Sequence, residues 1–95
     1  GTPRPPIMDD DVPAFAEVCF FSRSAFRGDR FCMEEGDSIR RLGRDWNDGI
    51  ASMRNPAGLR VTLCEGRNFN NCRTYTSSAR SLGRFGSDVS SIRVR

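Results

Sequence analysis

The sequence contains no lysine and no histidine. Without histidine there is no Ser-His or Cys-His pair and no ordinary general base for neutral pH, which leaves catalysis little to stand on. The acidic pair Glu34-Glu35 does not repair this, because adjacent residues on a strand point to opposite faces and read as a solvated edge. Without lysine, all fifteen basic residues are arginine. That bias reads first as the codon composition of a GC-rich genome, and only second as selection for bidentate recognition of carboxylates or phosphates. The arginines are interleaved with twelve acids for a net charge of +3. Neither a basic run nor a recognisable nucleic-acid module is present, so no nucleic-acid partner is expected.

Other absences narrow the fold. No stretch approaches the roughly 20 apolar residues of a membrane-spanning helix, so no membrane span is expected. No helical apolar period runs beyond about two turns, and a short helical turn around Ser38 to Leu42 is the most helix the pattern allows. The turn Leu42-Gly43-Arg44 lacks the following helix that a phosphate-cradling loop needs. CxxC spacing is missing, so the cysteines do not form a zinc-type set. No signal peptide opens the chain, as in a mature secreted protein that has lost it.

What is present is a chain of 95 residues with four cysteines and seven phenylalanines. That length gives one domain with a limited core, for which cross-links are useful. An even cysteine count in a short chain points to disulfides and to a secreted or periplasmic location, although four cysteines allow three pairings. Residues 1–13 hold four of the five prolines and the run Asp9, Asp10, Asp11. Such a segment cannot join a ladder or bury apolar surface and reads as a flexible tether, leaving 14–95 as the folded domain.

From Val18 onward the sequence repeats itself. Phe21, Phe26 and Gly28 match Cys64, Phe69 and Asn71 in spacing, as a strand, a sharply folded turn and a second strand would require. Ser38, Arg40, Leu42 and Gly43 match Ser78, Arg80, Leu82 and Gly83. Trp46, Ile50, Ser52 and Arg54 match Phe85, Val89, Ser91 and Arg93. Phe20, Phe31, 59–63 and 92–94 lie in short strand-forming runs bounded by Gly, Asn and Ser. Asn55-Pro56-Ala57-Gly58 is a turn-forming linker. The expected architecture is therefore all-β, with one motif over about 18–54 and a second over about 59–95.

The repeat also orders the cysteines. A cross-strand pair in a hairpin is centred on its turn. Cys19 with Cys32 centres between residues 25 and 26, and Cys64 with Cys72 centres on 68, which corresponds to 25. The predicted bonds are Cys19–Cys32 and Cys64–Cys72.

These residues resemble a known family. The aromatic-x4-aromatic-x-Gly hairpin, together with Ser52 and Ser91 each ahead of an apolar-Arg pair, is similar to the paired Greek-key motifs of βγ-crystallins. The hairpin cysteines look most like secreted bacterial members, some of which are grouped with a peptidase-inhibitor family. The resemblance implies two Greek-key motifs packed as a sandwich, with Trp46 and Phe85 at equivalent corners. It also implies Ca²⁺ sites of pattern Asn/Asp-Asn/Asp-x-x-Ser/Thr-Ser, which turn carbonyls, carboxylates and hydroxyls suit. In this chain the first stretch runs Asn47, Asp48, Gly49, Ile50, Ala51, Ser52, with Ala51 where a liganding hydroxyl belongs. The second runs Gly86, Ser87, Asp88, Val89, Ser90, Ser91, with the hydroxyls intact and the Asn/Asp pair missing. By resemblance the backbone around Glu65 completes the first and that around Ser22 the second. The alternative is that these turns only shape the loops.

Two functions follow as expectations. One is a non-enzymatic, secreted structural module that binds Ca²⁺ weakly through a degenerate set. The other is a protein-binding inhibitor of a peptidase or other hydrolase, contacting its partner through the loops at Arg23 and Arg67. A monomer is expected in either case.

Overall fold

The structure, a computed structural model, describes residues 16–43, 46, 49–66 and 69–95. The proline-rich segment 1–13 lies outside the described residues. Strand β1 (Glu17–Arg23) alternates, with Val18 and Phe20 fully buried while Glu17 and Cys19 face outward. It pairs antiparallel with β2 (Arg27–Glu34), Cys19 opposite Cys32 and Phe21 opposite Arg30, and the register shifts between Phe21 and Arg23 as the hairpin tightens. After β3 (Ser38–Ile39) the chain reaches β4 (Ser52–Arg54), which lies on the other side of β1 with Ser52 opposite Phe21. The second half repeats the plan. Strand β5 (Val61–Gly66) pairs with β6 (Asn70–Tyr75), Cys64 opposite Cys72, and then with β7 (Ser91–Val94), Cys64 opposite Ser91.

The two sheets run β2-β1-β4 and β3-β7-β5-β6. Each motif sends its third segment to the other sheet. Ser38 and Ile39 pair with Arg93 and Ile92 of β7, and in return Ala79 and Met53 exchange two backbone hydrogen bonds of 2.9 Å. The result is the expected sandwich of two Greek keys.

Alternation builds the core. Val18, Phe20, Met33 and Met53 from one sheet meet Val61, Leu63, Ile92 and Val94 from the other, with Ile50, Leu82, Phe85 and Val89 closing the ends. Each such side chain, fully buried, contributes about 1.5–3 kcal/mol of transfer free energy.

Both predicted disulfides are present, Cys19–Cys32 and Cys64–Cys72, one in each motif. The linker turn closes through Asn55, which is buried. Its side chain accepts the Leu59 N–H and donates to the Leu59 carbonyl, so Asn55 joins the two motifs from within.

One expectation is corrected. The helical turn lies at α1 (Gly83–Ser87), not around Ser38 to Leu42. Ser38 and Ile39 are drawn into the ladder with β7 because an unpaired edge of that strand would leave its backbone groups without partners. The helical turn forms instead where Phe85 must turn inward, at 8% exposure, to cap the core.

Candidate functional site

Each hairpin folds back on its own strand, and this shapes the surface. Phe26 and Phe69 both have left-handed backbone angles, φ 60° and 64°, a region that costs an aromatic residue conformational energy. A serine from the last strand of the motif holds each one there. Phe26 N–H donates to Ser52 Oγ at 3.0 Å, and Ser52 Oγ donates to the Arg23 carbonyl at 2.6 Å. Phe69 N–H donates to Ser91 Oγ at 3.1 Å, and Ser91 Oγ donates to the Gly66 carbonyl at 2.8 Å. An arginine two residues on covers each ring, Arg54 at 5.7 Å from the Phe26 centroid and Arg93 at 4.1 Å from that of Phe69. The corner residues also correspond. Trp46 packs edge-on against Phe31 at 4.8 Å, and Phe85 lies under Arg73 at 4.3 Å, Phe31 and Arg73 holding matching places on β2 and β6.

The symmetry breaks at the cysteines. Phe21 and Cys64 correspond, as do Cys19 and Thr62, which faces Thr74. The disulfide thus occupies the rung further from the turn in the first motif and the nearer rung in the second. In the first motif the nearer rung holds Phe21 and Arg30, and Phe26 lies against Phe21 at 5.9 Å. A cleft results on the outer face, lined by Cys19, Phe21, Phe26, Pro56, Arg30 and Arg54, with Glu17 at its far end. Glu17, Cys19 and Cys32 bring a carboxylate and two sulfurs within 4.8 Å of one another. Because the sulfurs are joined as a disulfide they offer no thiolate, and the group is not a metal centre.

Of the residues expected to bind a partner, Arg23 is exposed at the end of β1, followed by Ser24, whose carbonyl accepts from Arg27 Nε at 3.3 Å. Arg67 lies outside the described residues. So do Asn47 and Asp48 of the first expected Ca²⁺ stretch. Gly49 is buried, with φ 79°, and a Cβ there would collide with the Gly86 carbonyl oxygen. A Cβ on Gly86 would in turn collide with the Ile50 carbonyl oxygen. The two turns meet backbone to backbone, and Ile50 N–H donates to the Gly86 carbonyl at 2.8 Å.

That contact tests the fit to Ca²⁺. In the second stretch the first Asn/Asp position is Gly86, where no side chain can be placed. The side-chain oxygens that remain are those of exposed Asp88 and of Ser87 and Ser90, whose hydroxyls donate to the Arg84 and Asp88 carbonyls. Ser90 N–H bonds the Cys64 carbonyl, beside Glu65, while Ala51 N–H bonds the Phe21 carbonyl, beside Ser22. Ser22 itself is exposed, and its Oγ accepts from Asp29 N–H at 2.8 Å. One carboxylate and a few hydroxyls fall well short of the charge that tight Ca²⁺ loops gather. The set fits at most a weak site.

The matched arginines after Ser52 and Ser91 were visible as part of the repeat, but their place over the hairpin aromatics was not, because it depends on the hairpin folding back on its own strand. The cleft was not visible either, since Phe21 and Arg30 become neighbours only through the strand register.

Comparison with known proteins places this architecture. No curated protein sequence matches the chain. Solved structures do. The N-terminal domain of protein S is 26% identical with a TM-score of 0.73, covering 84% of this chain and 96% of that one. A βγ-crystallin domain from Flavobacterium johnsoniae is 26% identical with a TM-score of 0.70, covering 82% and 92%. The βγ-crystallin domain of Abundant Perithecial Protein from Neurospora crassa, in its Ca²⁺-bound form, shares the fold at 22% identity and a TM-score of 0.73, covering 83% and 87%. The profile of peptidase inhibitor family I36 matches residues 14–76. With the hairpins, the exchanged third segments and the paired serines all in place, the chain belongs to peptidase inhibitor family I36 and has the βγ-crystallin fold.

Proposed function

We propose that this domain inhibits a peptidase outside the cytoplasm, by binding and without catalysis of its own, and that Arg23 at the first hairpin is a principal contact, with Arg67 contributing from the second hairpin. The observation that carries this reading is the bracing of the first hairpin. Exposed Arg23 is held from below by Ser52, which takes its carbonyl, and along the strand by Cys19–Cys32. A loop already fixed in one shape loses little conformational freedom when a partner closes on it, and such preorganisation raises affinity. The two disulfides support an oxidising compartment.

The test is inhibition of a panel of serine, cysteine, aspartic and metallopeptidases by the purified chain. Stoichiometric inhibition of one class, weakened about tenfold or more by Arg23→Glu, supports the reading. Inhibition of none overturns it.

Weak Ca²⁺ binding at the second turn is a second reading, favoured by exposed Asp88, whose carbonyl accepts from the Ser90 hydroxyl and so draws a carbonyl and a hydroxyl together two residues apart. With so few charged ligands its affinity belongs at roughly 0.1–1 mM or weaker. Calorimetric titration with CaCl₂ decides it, with Ser90→Ala as control; no heat at millimolar Ca²⁺ ends it.

A further inference from the structure

The cleft on the outer face of the β2-β1-β4 sheet belongs to the first motif alone. The matching rung of the second motif is occupied by the Cys64–Cys72 disulfide, so the two halves present different surfaces at this place. Its floor is apolar: Phe21, Phe26, Pro56 and the Cys19 sulfur. Its flanks are cationic. Arg30 stands on β2 opposite Phe21, and Arg54 stands on β4 opposite Cys19, so the two arginines straddle β1. Strands two apart lie roughly 10 Å from each other, a span that two long guanidinium side chains can close over a ligand set on Phe21. Both arginines are exposed. Among the described residues Arg30 has no carboxylate partner, and Arg54 is engaged by the face of the Phe26 ring alone, leaving its donors free. The volume, about 400 Å³, suits one large side chain and its neighbours. Glu17 marks the opposite end and, with Glu34 across from it, repels an anion placed there, which sets the direction of entry.

From this arrangement we propose that the cleft is a recognition site for an acidic peptide segment in which an apolar or aromatic side chain lies next to a carboxylate. The ring seats on Phe21 and Pro56, and the carboxylate is taken by Arg30 and Arg54, whose planar forks match it. The proposal rests on the inhibitor reading for the source of the segment, which is a surface element of the target peptidase. It moves part of the interface from the hairpin tip to the face of the sheet beside it.

The experiment has two arms. In the first, the ¹⁵N-labelled chain is titrated with acetyl-Asp-Phe-Asp-amide and with acetyl-Asn-Phe-Asn-amide, and backbone amide shifts are followed by NMR. The acidic peptide moves the resonances of Phe21, Phe26, Arg30 and Arg54. The neutral one binds at least about tenfold more weakly, and Arg30→Glu and Arg54→Glu each weaken the acidic peptide by a similar factor while the spectrum stays dispersed. Equal binding of both peptides, shifts confined to other surfaces, or no shifts at millimolar peptide overturns the proposal. Shifts at these positions that follow protein concentration and not peptide assign the cleft to self-association and overturn it as well. In the second arm, the charge reversals are tested against whichever peptidase the chain inhibits. Inhibition unchanged in both variants removes the cleft from the interface and leaves the inhibitor reading intact. Peptide binding by a chain that inhibits no peptidase leaves the cleft and removes the inhibitor reading.

Discussion

Ser52 and Ser91 lie 39 positions apart and make the same pair of hydrogen bonds, each accepting from the N–H of a left-handed phenylalanine and donating to the carbonyl that ends the preceding strand. Both are fully buried. The hydroxyl is thus spent on the hairpin, and it is the neighbouring position, Ala51 or Ser90, that is left to face any ligand.

Ser52→Ala and Ser91→Ala are expected to cost similar amounts, roughly 1–3 kcal/mol each, because each strands a part-buried N–H and a part-buried carbonyl. Urea unfolding with an unchanged slope measures this. A cost below about 0.5 kcal/mol in either variant contradicts the role assigned to the hydroxyl.

Removing the disulfides one at a time, as Cys19→Ser with Cys32→Ser or as Cys64→Ser with Cys72→Ser, is expected to lower stability by about 2–3 kcal/mol in each case, slightly more for the first because it closes the longer loop. The sequence separations are 13 and 8 residues. Non-reducing peptide mapping that joined a cysteine of one motif to one of the other would rule out the pairing itself.

Gly86→Ala is expected to be among the most damaging single changes, at about 3 kcal/mol or more, since the added methyl meets the Ile50 carbonyl and backbone cannot move aside there cheaply. Gly43→Ala, with nothing within 4 Å of the added atom, is the control and should alter the melting midpoint little. Comparable midpoints for the two variants would mean that the turns do not touch.

The two arginine clamps are expected to differ. Arg93 is half-buried and 4.1 Å from its ring, whereas Arg54 is exposed at 5.7 Å. Arg93→Ala should therefore cost about 1–2 kcal/mol, and Arg54→Ala about 0.5 kcal/mol or less. Thermal melts compare them, and a larger loss at Arg54 would reverse the assignment.

Much of the fold was legible in the sequence because duplication writes each structural requirement twice. The hairpin spacing, the serines and the cysteine pairing could each be checked against a second copy. The helical turn could not: 38–42 and 78–82 match in sequence, yet among the described residues the α-helical turn follows Leu82, where Phe85 turns into the core, while Trp46 in the matching place makes i→i+3 bonds with Gly43 and Gly49. The surface was the least legible part. Arg30 and Arg54 are far apart in the chain and flank Phe21 only once β2 and β4 are laid on either side of β1, a matter of register that composition does not carry.

The exchange of Ser38–Ile39 for Ala79 between the sheets has a consequence for how such a domain can be divided. Severed at Asn55, the second piece loses β3 from the edge of β7 and the first loses the Ala79 bridge from the edge of β4, so each is left with an open edge shaped for a stranger's chain. The two pieces should recover a native form only when mixed, and either one alone should seek a second copy of itself, the arrangement from which a duplicated gene of this kind would start.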